Sequence, residues 1–178
     1  NKQSFEDNVR AFLRTDSAFY RLAASWMNES FRTPESYNTL LFAMANGYNR
    51  IGEIAKFSGF PKNKCDKYIK ALIEHGLVIK APGENGHTKY LPANSYLTLW
   101  YKCLLTAVPN PDGSFGNDIF NQFMQVFNDE LMADFYKDMC DYWLGKNLNS
   151  ISTEYIDTKN SSYHNVKVGN VTFDFACE

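Results

Sequence analysis

No run of apolar residues in this 178-residue chain approaches the roughly eighteen that a bilayer-crossing helix requires, so a membrane protein is excluded from the expected classes. Close cysteine pairs are missing too. Cys65, Cys103, Cys140 and Cys177 stand far apart, without the tight spacing of zinc sites or redox motifs, and each is expected to be a buried thiol. There is no glycine-rich loop ending in Lys and Ser or Thr, so ATP hydrolysis is not expected of these residues. Nor does a Ser, His and Asp arrangement stand out, because His75, His87 and His164 fall in helix-end or loop contexts. No cofactor and no metal is expected. The opening residues, Asn1 to Glu6, lack the basic and then apolar profile of a secretory signal, which points to a cytoplasmic, reduced protein. A large charge of one sign is also absent. With a formal net charge of −2, any contact with nucleic acid has to come from a local basic patch.

What is present is globular material: 44% of the residues are hydrophobic and 21% charged, enough to bury a core within one large domain or two small ones. Val9, Phe12 and Leu13, then Phe19, Leu22, Ala23, Trp26 and Met27, recur at three- and four-residue spacings. That period predicts two amphipathic helices over 5–30, with Asp16 as the cap between them. Their expected role is packing against the next domain.

Thr33-Pro34-Glu35 is a helix start: a capping hydroxyl, a proline at the first helical position and an acid facing the positive end of the helix dipole. Tyr37, Leu40, Leu41 and Met44 mark the buried stripe, and Gly47 is the stop. Ile51, Ile54 and Ala55 form a second, shorter stripe that ends at Ser58-Gly59, where a tight turn is expected. Pro61 opens a third helix with Cys65, Tyr68, Ile69, Leu72 and Ile73 on one face, closed by Gly76. Leu77-Val78-Ile79 then reads as a strand, 81–88 as a polar loop, and Tyr90-Leu91 as the returning strand. Three helices with a short turn between the second and third, followed by a hairpin, are the winged variant of the helix-turn-helix.

The apolar segment from Ser95 to Leu105 leads to Pro109 and Pro111, which predict a boundary. A helical period resumes through Ile119, Phe123, Val126, Phe127, Leu131, Phe135, Met139 and Trp143, with Gly145 as its expected end. After a polar stretch, Val166 and Val168 alternate toward Gly169-Asn170, a hairpin signal, with Val171, Phe173 and Phe175 returning. The expected fold class is mostly α with small β: N-terminal helices over 1–33, a winged helix-turn-helix over 34–105 and a C-terminal α+β module over 106–178.

The third helix carries Lys62, Asn63, Lys64, Lys67 and Lys70 on its outer side, against Asp66 and Glu74. In a recognition helix, lysine and asparagine at these positions reach phosphates and base edges, while His87 and Lys89 on the wing touch the flanking backbone. The alternative is that the lysines solvate a packed helix in a protein-docking module. Arginine, the commoner base reader, is absent from this helix. Asp157, Asp174 and Glu178 are the acids near the C-terminal strands, and a metal-dependent nuclease needs two or more converging carboxylates. Asp174 stands alone within its strand.

The runs FEDNVRAFL, SAFYRLAASWMNESFRTPESYNTLLFAMANG, RIGEIAKFSGF, KYIKALIEHGLVIK and YLTLWYK together resemble the C-terminal half of an archaeal-type AAA ATPase family related to the signal-transducing NTPases. That resemblance implies an upstream ATPase domain, for which residues 1–33 would be a lid-type connector, then a winged helix, then a small restriction-endonuclease-like module. It places Ile54, Ala55, Tyr68, Leu72, Gly76, Leu77 and Val78 on the family's winged-helix core pattern, and Leu97, Trp100 and Tyr101 on the aromatic motif after the wing. In the endonuclease-like module the family shows Phe-Glu and Glu-apolar-Asp; the matching stretches here are Phe135-Tyr136 and Thr172-Phe173-Asp174. Asp174 is the only candidate ligand left, with Tyr136 and Thr172 where acids would stand, and the strand that would bring the family's lysine is expected beyond Glu178. The expected function is a non-catalytic DNA-binding or regulatory region whose partners are double-stranded DNA and the ATPase domain of the same parent chain. The alternatives are a degenerate metal-dependent nuclease and a protein-interaction module.

Overall fold

A computed structural model describes residues 4–83, 86–147, 166–168 and 171–173. Among these the chain is mostly helical, with two antiparallel strand pairs. It divides into two compact units, Asn1–Phe127 and Asn128–Glu178.

The first unit opens with α1 (Phe5–Leu13) and α2 (Ala18–Ser30). Ser4 caps α1 reciprocally with Asp7, whose carboxylate accepts from the Ser4 backbone N–H and hydroxyl and is thereby held below the usual carboxylate range. At α2 the expected Asp16 cap is not used. Ser17 accepts from the Tyr20 N–H at 3.1 Å, because the Asp16 carboxylate is turned to the Arg14 guanidinium at 3.0 Å. Helix α3 (Pro34–Ala45) begins at the expected proline, yet the Thr33 hydroxyl makes no capping bond.

Next come α4 (Ile51–Ser58) and α5 (Lys62–Glu74), then β1 (Val78–Pro82) and β2 (Thr88–Pro92), paired from Val78↔Pro92 to Pro82↔Thr88. The two helices are joined by Gly59, Phe60 and Pro61, and Gly59 sits at φ +71°, where a side chain would be strained. Gly76, at φ +69°, likewise ends α5 and starts the hairpin. A further bond, Tyr90 N–H to the Asn49 carbonyl at 2.8 Å, ties β2 to the segment before α4. This is the helix-turn-helix with a two-stranded wing that the residue pattern predicts, and the strands run longer than the three-residue and two-residue cores read from sequence.

Its core is aliphatic: Leu40, Leu41, Ile54, Leu72 and Leu77 are completely buried. Helix α6 (Ser95–Leu99), which buries Leu97, runs on through a π-helical turn, Trp100–Leu104, that adds Tyr101 and Leu104 to the same interior. The Tyr101 hydroxyl donates to Asn38 Oδ1 at 2.8 Å, and burial pushes its pKa far above the ordinary phenol value.

The unit continues past the expected boundary near Pro109, as far as Phe127. Arg14 donates to the Asp112 carbonyl at 2.7 Å and the Thr15 N–H to that of Gly113 at 2.9 Å. Helix α7 (Asn117–Val126) then sets Phe123 against Phe12 and Phe19, with ring centroids 6.5 and 6.1 Å away. Long-range ring packing, rather than proline, decides where this unit stops. The second unit holds α8 (Met132–Asn147) and the pair β3 (Val166–Val168) and β4 (Val171–Phe173), in register Val168↔Val171 as the hairpin signal predicts. Helix α8 does not stop at Gly145, since an interior glycine costs a helix only about 1 kcal/mol. Phe175 lies outside the described residues.

Candidate nucleic-acid interface

Among the helices of the first unit, α5 has an unusual N-terminus. Helices α1, α3, α4 and α7 each carry an acid in the first turn, and α2 and α6, which do not, are capped by Ser17 and Asn94. Helix α5 has neither an acid in its first turn nor a side-chain cap, and it places Lys62 and Lys64 there instead. Cations next to the positive end of the dipole oppose the helix and favour an anion docking on it.

The individual side chains are differently employed. Lys62 is exposed, and its stem lies along α4, with Cε 3.9 Å from where a Cβ on Gly52 would stand. Asn63 Oδ1 accepts from the Lys64 backbone N–H at 2.9 Å. One lone pair of the carbonyl is thus engaged, which turns Asn63 toward its own helix and disfavours the two-way pairing with adenine while that bond holds. Lys64 is half-buried, its ammonium 3.8 Å from the Phe60 ring centroid and 5.3 Å from that of Tyr68. Lys67 is exposed and has no ion pair among the described residues. Lys70 donates to Asp66 at 2.7 Å, and that hydrogen bond holds its pKa above the ordinary lysine range.

Five of the predicted residues therefore share one helix, but only part of their charge is uncommitted. Beside them Tyr37, Asp66, Lys67, Lys70, Ala71 and Glu74 line a hollow of about 380 Å³ whose charges are of both signs. On the wing, His87 is exposed and its carbonyl accepts from the Gly83 N–H at 2.7 Å, while Lys89 is half-buried in β2. Lys80 of β1 is exposed as well and was not singled out by sequence, because one lysine in a strand carries no period. Phe60 and Tyr68 were also missed as parts of the site. Their signal is the spacing Phe60, Lys64, Tyr68, four residues apart twice over.

Away from α5, the same unit has an apolar cleft of about 270 Å³ between α1 and α7, lined by Phe5, Val9, Phe12, Phe123, Met124 and Phe127 along with Asn8. Phe5 and Phe12 are 65% and 46% exposed, so α1 turns rings toward solvent on the side that its helical period marks as apolar. Cys65 and Cys103 are buried and Cys140 is half-buried, and none of the three is in a disulfide. No group of three or more His, Cys, Asp or Glu capable of holding a metal occurs among the described residues, and Asp157, His164, Asp174, Cys177 and Glu178 lie outside them. Among the described residues no helix is long and apolar enough to cross a membrane.

No family model, curated protein or solved structure matches this chain.

Proposed function

We propose that the winged helix is a non-catalytic, duplex-DNA-binding or regulatory region serving an ATPase domain of the same parent chain, as the family resemblance implies. The observation that carries this reading is the uncapped, acid-free and lysine-bearing N-terminus of α5, presented across the three-residue turn from α4. In that geometry the first turn of α5 and Lys67 meet phosphates, and the wing supplies His87, Lys89 and Lys80 to the flanking backbone. With Asn63 committed through its carbonyl and no arginine on α5, base reading is weak. The binding is therefore dominated by phosphate contacts, sequence-tolerant and steeply salt-dependent. Titration of the chain with a mixed-sequence duplex at low salt tests this: binding should fall with added salt, and Lys64→Glu and Lys67→Glu should each weaken it about tenfold. Absence of binding, or binding indifferent to both substitutions, contradicts it.

A second reading, a protein-docking module, is favoured by the apolar cleft between α1 and α7. It takes an apolar segment of a partner and needs no charge on α5. Self-association that persists in Lys64→Glu and disappears in Phe5→Ser/Phe12→Ser, in a chain indifferent to DNA, would establish it in place of the first.

A further inference from the structure

The Lys64 ammonium lies 3.8 Å from the centre of the Phe60 ring and 5.3 Å from that of Tyr68. The rings are themselves fixed. Phe60 meets Tyr68 edge to face at 6.4 Å, and Tyr68 stacks on Tyr37 at 4.6 Å, which stacks in turn on the buried Phe31 at 3.9 Å. The Phe60 backbone is anchored at the turn, its N–H donating to Ser58 Oγ at 3.3 Å and its carbonyl accepting from the buried Cys65 thiol at 3.8 Å. A lysine on an exposed helix normally samples many rotamers and loses that freedom when it grips a phosphate. Lys64 has already lost much of it. The ring faces hold the ammonium by cation–π attraction while leaving its N–H donors unpaired with any carboxylate among the described residues, unlike Lys70, which is spent on Asp66.

Resting on the DNA-binding reading above, we propose that Phe60 and Tyr68 are positioning residues that hold the Lys64 ammonium ready for a backbone phosphate of the duplex. Lys64 is thereby a fixed cation beside the N-terminus of α5, and Lys67 is the mobile one. The two lysines differ in how much affinity depends on their surroundings, although their charge is the same.

The test uses the full chain and a fluorescent mixed-sequence duplex, with Lys64→Ala, Phe60→Leu, Phe60→Tyr and the double variant Phe60→Leu/Lys64→Ala. Phe60→Leu should weaken binding about two- to fivefold although it removes no charge, and Phe60→Tyr, which keeps a ring, should restore it. The double variant should bind no more weakly than Lys64→Ala alone, since without the ammonium the ring has nothing to hold. A second measurement needs neither DNA nor a variant that folds: the Lys64 ε-methylene protons of the wild-type chain should resonate upfield of those of Lys67, shifted by the ring current. Unshifted Lys64 protons overturn the proposal, as does binding weakened by Lys64→Ala but untouched by Phe60→Leu. Both leave the DNA reading standing. A wild-type chain that binds no duplex removes that reading and this proposal together.

Discussion

The winged helix and the α1/α7 flank belong to one compact unit but are finished to different degrees. In the winged helix, Leu40, Leu41, Ile54, Leu72 and Leu77 are sealed from solvent, and Lys62, Lys67 and Lys70 of α5 stand outside while Lys64 is half-buried. In the flank, apolar packing is carried by rings, and it stops short. Phe12 lies 4.1 Å from Phe19 yet is nearly half exposed, Phe5 is more so, and Leu13 is the buried residue of α1. A sealed aliphatic core makes the winged helix a carrier for surface charge, although its Tyr48, Phe57 and Ile79 are 41%, 40% and 47% exposed, whereas the flank gathers its exposed rings around an apolar opening. One surface is suited to a polyanion and the other to an apolar partner. The two proposed readings divide along that line.

Stability offers the largest effect with which to break the contrast. Leu72→Ala should cost about 2–5 kcal/mol of unfolding free energy, and Phe12→Ala, whose ring is already half in water, should cost clearly less. Equal losses in urea titrations would mean that the flank is as much a part of the core as α5. The buried Tyr101–Asn38 bond supplies a smaller effect. Tyr101→Phe should cost about 1 kcal/mol at neutral pH. Because burial raises the folded-state pKa of Tyr101 above its ordinary value of 10.0, the protonated form is favoured by folding. Its contribution is present below pH 10.0 and is lost as pH rises beyond it. Wild-type stability should therefore decline in alkali more steeply than that of Tyr101→Phe, and parallel declines would show that the phenol does not report on the core. The smallest effect concerns the charged face. Asp66→Asn frees Lys70 from its ion pair, which solvent screening keeps weak on an exposed surface. Duplex binding should then tighten by about two- to fivefold; unchanged affinity would place Lys70 outside the contact.

Much of the winged helix could be read directly from sequence because its punctuation admits few residue types. Gly59 and Gly76 occupy left-handed backbone, and Pro34 and Pro61 stand at helix starts. Caps were less legible. Asp16 and Ser17 are both good capping residues, and the choice between them was made by Arg14, which draws the aspartate away. The threonine at position 33 has the right chemistry, but its hydroxyl makes no capping bond. Gly145 resembled a stop, but the helix continues to Asn147. In the candidate site, the lysines were visible as charge on one helical face, while their employment was not. Whether a lysine is free, spent on Asp66 or perched on Phe60 depends on rotamers and on a ring that precedes the helix. The cleft was invisible for a different reason: it joins residues near position 5 to residues near position 127, and periodicity carries no information about which helix lies beside which.

The central claim is that the charged face of α5, and not the apolar cleft, is the working surface. Amide chemical-shift mapping of the full chain with a short mixed-sequence duplex tests it most directly. The account predicts perturbations concentrated on residues 61–70 and on the wing around His87 and Lys89, fading as salt is added. Perturbations centred on Phe5, Phe12 and Phe123, or none at all with excess duplex at low salt, would contradict it.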